Sequence, residues 1–122
     1  MAVFKSGHRY VIMTHQNRFL SAQGDGRLET NREAGLGWEL FTVNVSGGKV
    51  TFRGDHGLYM CVVGQDVMCN ATKPFEFNLI EKDAHAFSLQ NPKTQKYVCI
   101  DRTPVCNRDA DLGWETLMAF KE

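Results

Sequence analysis

The chain has little proline, three residues in 122, and only two tryptophans. No apolar run approaches the roughly 20 residues that a membrane-spanning helix needs. Nor does any stretch repeat its apolar residues with a helical period. Net charge is missing too, since fourteen basic residues cancel fourteen acidic ones. A general binder of nucleic acid or anionic membrane carries a basic excess, so neither partner is expected. The opening residues Met1-Ala2-Val3-Phe4-Lys5-Ser6 lack a signal-peptide core, and Ala2 stands where myristoylation requires glycine. No membrane anchor is expected, and the cytoplasm is the expected compartment.

The chemistry-bearing residues lack the spacings that reactions require. Four cysteines contain no Cys-x-x-Cys pair, so no metal is expected, and reduced thiols suit a cytoplasmic chain. A cysteine nucleophile needs a base within hydrogen-bond reach, but His8, His15, His56 and His85 are scattered through turns and ends. Gly24-Asp25-Gly26 and Gly47-Gly48 are turn glycines without the strand-to-helix context of a phosphate loop. No enzyme activity and no cofactor are expected.

What the chain does have is a repeat. Asn31-Arg32-Glu33-Ala34-Gly35-Leu36-Gly37-Trp38-Glu39 returns as Asn107-Arg108-Asp109-Ala110-Asp111-Leu112-Gly113-Trp114-Glu115, 76 residues later. That separation is twice a module of about 38 residues and leaves room for a third copy between. The pairs Phe19-Leu20, Tyr59-Met60 and Tyr97-Val98 mark all three, at spacings of 40 and 38 residues. Alternation over Val11 and Met13, Val50 and Phe52, and Phe87 and Leu89 predicts half-buried opening strands with those residues inward. Turn residues follow at Gln16-Asn17, Gly54-Asp55-His56-Gly57 and Asn91-Pro92-Lys93-Thr94. Third strands run into Asn31, Asn70 and Asn107, and fourth strands carry Phe41, Phe77 and Leu117. The middle copy lacks three residues of the loop before its fourth strand, and its tryptophan with them.

Twelve short strands in three four-stranded repeats of about 38–40 residues predict an all-β fold, a β-trefoil with pseudo-threefold symmetry, as one domain over 1–122. First and fourth strands would form a six-stranded barrel, and the second-third hairpins would cap one end. In that register Cys69 and Cys106 face Met60 and Val98, while Cys61 and Cys99 point to the other side. Cysteines of one hairpin then cannot bridge. Leu36, Leu112, Trp38 and Trp114 are expected to plug the open barrel end.

Gly48-Lys49-Val50-Thr51-Phe52-Arg53-Gly54-Asp55-His56-Gly57-Leu58-Tyr59 resembles the strand-hairpin-strand signature of the fascin trefoils. Arg18-Phe19-Leu20-Ser21-Ala22 and Lys96-Tyr97-Val98 repeat its second half, and the length and the Phe-Leu-Ser-Ala tetrapeptide are similar to hisactophilin. The resemblance implies a cytoskeletal protein that binds actin filaments. Bundling by a single trefoil would need a second site or a dimer. An acidic filament surface calls for cations. Arg18, Arg53, Lys93 and Lys96 flank the first-second strand turns, and Arg32 and Arg108 project from the repeated loop; these six are the expected partner-binding residues. The alternative is a carbohydrate-binding, lectin-like trefoil. Ricin-type lectins carry Gln-x-Trp near each module's end, where this chain reads Gly37-Trp38-Glu39 and Gly113-Trp114-Glu115.

Overall fold

Alternating residues and close-set turns give a chain of hairpins. The computed structural model describes residues 3–32, 37–100, 104–109 and 115–122, with Asn31, Arg32 and Gly37 described in backbone only. Among the described residues twelve strands form: β1 His8–Met13, β2 Phe19–Ala22, β3 Leu28–Arg32, β4 Leu40–Ser46, β5 Lys49–Arg53, β6 Tyr59–Val63, β7 Asp66–Ala71, β8 Phe77–Glu81, β9 Ala86–Gln90, β10 Tyr97–Ile100, β11 Pro104–Arg108 and β12 Leu117–Lys121. A 3-10 turn, Gly37–Glu39, precedes β4.

Six strands close on themselves. β1 pairs with β4, β4 with β5, β5 with β8, β8 with β9, β9 with β12, and β12 with β1, all antiparallel. Closure leaves no open edge in the ring. The hairpins β2–β3, β6–β7 and β10–β11 hang from it through Met13–Phe19, Arg53–Tyr59 and Gln90–Tyr97.

The three turns into these hairpins share one construction. The amides of Thr14, Gly54 and Asn91 donate to the carbonyls of Arg18, Leu58 and Lys96 at 2.8, 2.8 and 2.9 Å. Each turn then holds one residue in the left-handed region: Asn17 at φ 61°, Gly57 at 85° and Gln95 at 63°. Glycine takes that conformation freely, and asparagine more readily than most other residues.

The core fills the ring with Ile12, Leu20, Phe41, Phe52, Phe77, Phe87, Leu89 and Leu117, all buried. Two expectations are corrected here. The inward residues of β1 are Tyr10 and Ile12, with Val11 and Met13 half-buried. Met13 pairs with Phe19 as Arg53 does with Tyr59, so Met13 matches Arg53 and the inward positions shift by one. Trp38 does not plug the barrel, being 41% exposed. Leu36, Leu112 and Trp114 lie outside the described residues. At the end bearing the β4–β5 turn, the ring of Phe4 enters instead, edge-on to Tyr10, Phe52 and Phe87 at 4.9, 5.7 and 5.0 Å.

The cysteines follow the hairpin register. Met60 faces Cys69 and Val98 faces Cys106, while Cys61 faces Met68 and Cys99 faces Val105. All four are free and buried. The thiols of Cys69 and Cys106 donate to the carbonyls of Leu58 and Lys96, each at 3.2 Å. Burial pushes the Cys69 thiol from 9.0 up to about 11, and burial also raises Cys99 and Cys106. Each raised group keeps its proton in the fold and ionises first in the unfolded chain. For Cys69 the stabilising effect is therefore whole below pH 9 and is lost as pH climbs through about 11. Urea midpoints are expected to hold level up to pH 9 and then fall, with a smaller fall in Cys69→Val; a level profile to pH 11 would contradict the burial of these thiols.

Candidate functional site

Three segments from different parts of the chain meet beside the exposed tryptophan. The 3-10 turn before β4 buries Glu39, at 7% exposure, and turns Trp38 outward. The turn between β5 and β6 brings His56 against it, with the indole and imidazole edge-on and centroids 4.7 Å apart. From the β2–β3 turn comes Gly24, where an added Cβ would stand 3.9 Å from the His56 ring. Trp38 is thus an exposed aromatic held in a fixed orientation, the kind of apolar surface that marks contact sites.

Next to this pair, the residues flanking His56 line a cleft of about 200 Å³. Its polar groups are Arg9, Thr42, Arg53 and Asp55, with Leu40 as apolar wall. Arg9 is clamped by Glu122 through two bonds, Nε at 2.8 Å and the terminal nitrogen at 2.6 Å. Both side chains are about half exposed, so the pair adds at most about 1 kcal/mol of stability, and its effect is to fix Arg9 and offset its charge. Nε of Arg53 donates to the Gly57 carbonyl at 3.3 Å. The cleft thereby offers hydroxyl-binding donors and a carboxylate acceptor at nearly balanced charge.

Five of the six cations singled out from the sequence have side chains among the described residues. Arg53 lines this cleft, and Lys93 lines a different one. Lys96 is ion-paired with Asp109. Arg108, its side chain about half exposed, lies 4.0 Å from the buried Glu115. Arg18 is exposed in the β1–β2 turn. The side chain of Arg32 lies outside the described residues. Sequence reasoning missed His56 as the partner of Trp38 and Asp55 as a lining residue of the cleft; the signal available was their place in the polar turn Gly54-Asp55-His56-Gly57.

Fold and site together define an all-β module with a polar cleft beside an exposed aromatic. The chain belongs to the fascin family: the Fascin domain model matches residues 2–81. It is thus a fascin-like single β-trefoil. No curated protein sequence matches it. Among solved structures it is similar to a Macrolepiota procera ricin B-like lectin in complex with lactose, at 20% identity and TM-score 0.80, covering 99% of this chain and 100% of that one. It is also similar to SeviL bound to asialo-GM1 saccharide, at 16% identity and TM-score 0.77, covering 95% of this chain and 98% of that one. At these identities the likeness carries the fold.

These comparisons correct the expectation of an actin-filament partner. The two structures named above, alike in fold over nearly the whole chain, are saccharide complexes. The physical ground for the actin expectation is also weakened, because Lys96 and Arg108 sit against Asp109 and Glu115 while Arg53 and Lys93 line separate clefts.

Proposed function

We propose that the chain is a non-enzymatic, carbohydrate-binding β-trefoil, a single module built from three four-stranded repeats, and that it holds a neutral saccharide at the cleft beside Trp38. The observation that carries this reading is Trp38 itself, 41% exposed yet fixed edge-on to His56. A pyranose ring has an apolar C–H face that stacks on an indole, and a rim of hydroxyls that bond in pairs to carboxylates and guanidiniums. Asp55, Arg53, Thr42 and Arg9 supply that second set beside the first. Both sugar complexes with this fold support the class of ligand. Four free thiols suit action in the cytoplasm.

Lactose titrated into the protein and followed by calorimetry or amide NMR tests the reading. Trp38→Ala is expected to weaken binding about tenfold or more, as loss of an aromatic contact of this kind costs about 1.5 kcal/mol. Asp55→Asn is expected to weaken it several-fold. Thermal midpoints should barely move, because both residues are exposed. Binding that ignores Trp38→Ala, or no response to lactose and a wider panel of neutral glycans at millimolar concentration, would overturn it.

A further inference from the structure

The second module builds a cleft at the corresponding place, and we infer that it is a separate site for an acidic saccharide, one carrying a carboxylate or a sulfate. The correspondence follows from strand pairing. Met13 and Arg53 meet Phe19 and Tyr59 in the same way, so four residues earlier Arg9 corresponds to Lys49. Counting back from the left-handed residues Gly57 and Gln95, Asp55 corresponds to Lys93. Trp38 stands three residues before the buried Phe41, and Pro74 stands three before Phe77, in the shortened loop that lacks the tryptophan. At that position lies a cleft of about 260 Å³, lined by Lys49, Pro74, Phe75, Glu76, Pro92 and Lys93. The two clefts share no lining residue.

The exchange of residues changes the charge. In the first cleft Glu122 clamps Arg9, but its counterpart in the second is Ser46, opposite Lys49 in the β4–β5 register. Lys49 is held by the side-chain oxygen of Asn78. The Asn78 amide donates in turn to Gln90 at 3.0 Å. An ammonium at Lys93 replaces the carboxylate of Asp55, and the Lys93 amide donates to Asn91 Oδ1 at 3.0 Å, which fixes the turn that carries it. Among the described residues neither lysine has an acidic partner. Glu76 is the single acid among the lining residues. Two prolines and Phe75 line the same cleft as the cations, and the Phe75 ring packs on Phe77 at 4.8 Å. Apolar lining accepts a sugar ring, and two ammoniums against one carboxylate select a ring that bears an anion.

Sialyllactose and sulfated lactose, titrated into the full chain in the Trp38→Ala background, test this inference with the first cleft disabled. Both probes are expected to bind there while lactose does not. Lys49→Gln combined with Lys93→Glu should weaken them about tenfold or more, Lys93→Arg should retain them, and raising salt from about 0.05 to about 0.5 M should weaken them strongly. Unchanged thermal midpoints would show that the variants fold. Acidic probes that bind regardless of the lysine changes, or that fail to bind at all, would overturn the second site. Lactose binding by the unsubstituted chain without acidic binding would leave only the first cleft standing. Lysine-dependent acidic binding with no lactose binding by the unsubstituted chain would leave only the second.

Discussion

Phe52→Ala is expected to lower the free energy of unfolding by about 4 kcal/mol, a large share of the roughly 5–15 kcal/mol that holds a domain of this size folded. Phe52 is fully buried on β5 and stands where the barrel's aromatic residues converge. Its ring is edge-on to Phe4 at 5.7 Å, lies 6.3 Å from Phe77, and stacks at 6.3 Å on Phe87. Those three neighbours come from the N-terminal segment, β8 and β9, so one truncation removes contacts that tie distant parts of the ring together. The void left behind cannot collapse easily, because the closed ring of pairings fixes the strands around it. Urea unfolding should show the loss as a lower midpoint with an unchanged slope. Val63→Ala, at a residue 55% exposed, should shift stability by about 0.5 kcal/mol or less. Comparable losses for the two variants would mean that the barrel axis is not where the apolar free energy is concentrated.

The repeat made much of this architecture legible before any coordinates. Residues alternating with period two, punctuated by turns at regular intervals, leave an all-β chain as the consistent reading, and the hairpin register placed Met60 against Cys69 and Val98 against Cys106. What stayed hidden depends on contacts between distant parts of the chain. Tyr10-Val11-Ile12-Met13 is apolar throughout, so the pattern carries no phase; only the pairing of Met13 with Phe19 sets which side faces inward. A tryptophan in sequence reads as a buried anchor, and Trp38 is exposed because its packing surface is His56, eighteen residues on, rather than the core. Phe4 lies outside every strand and gives no periodic signal, yet its ring meets three core aromatics. The cations illustrate the same limit. Their position in turns could be read from the repeat, whereas Asp109 opposite Lys96 and Glu115 beside Arg108 could not. The comparison between Lys49 and Arg9 became visible only once strand pairing had aligned the modules.

Gly26→Ala is expected to cost about 2–4 kcal/mol, far more than the usual effect of one added methyl group. Gly26 closes the β2–β3 turn at φ 90°, a conformation that side chains strain. Its carbonyl accepts the Cys69 amide at 2.8 Å, which presses the turn of one hairpin against strand β7 of the next. An added Cβ would stand 2.7 Å from the Cβ of Asn70, closer than any real contact of this kind, and 3.6 Å from its Cα. Relief requires the two hairpins to separate and the Gly26–Cys69 hydrogen bond to lengthen. Gly47 distinguishes strain from collision: at φ 57° it is also left-handed, but nothing lies within 4 Å of its added Cβ. Gly47→Ala should therefore cost only about 1 kcal/mol. If urea midpoints fell equally for both, backbone conformation alone would account for Gly26, and the close approach of the first and second hairpins would not limit stability. A larger fall at Gly26 would locate that limit at the junction between modules, two residues from the Gly24 that borders His56.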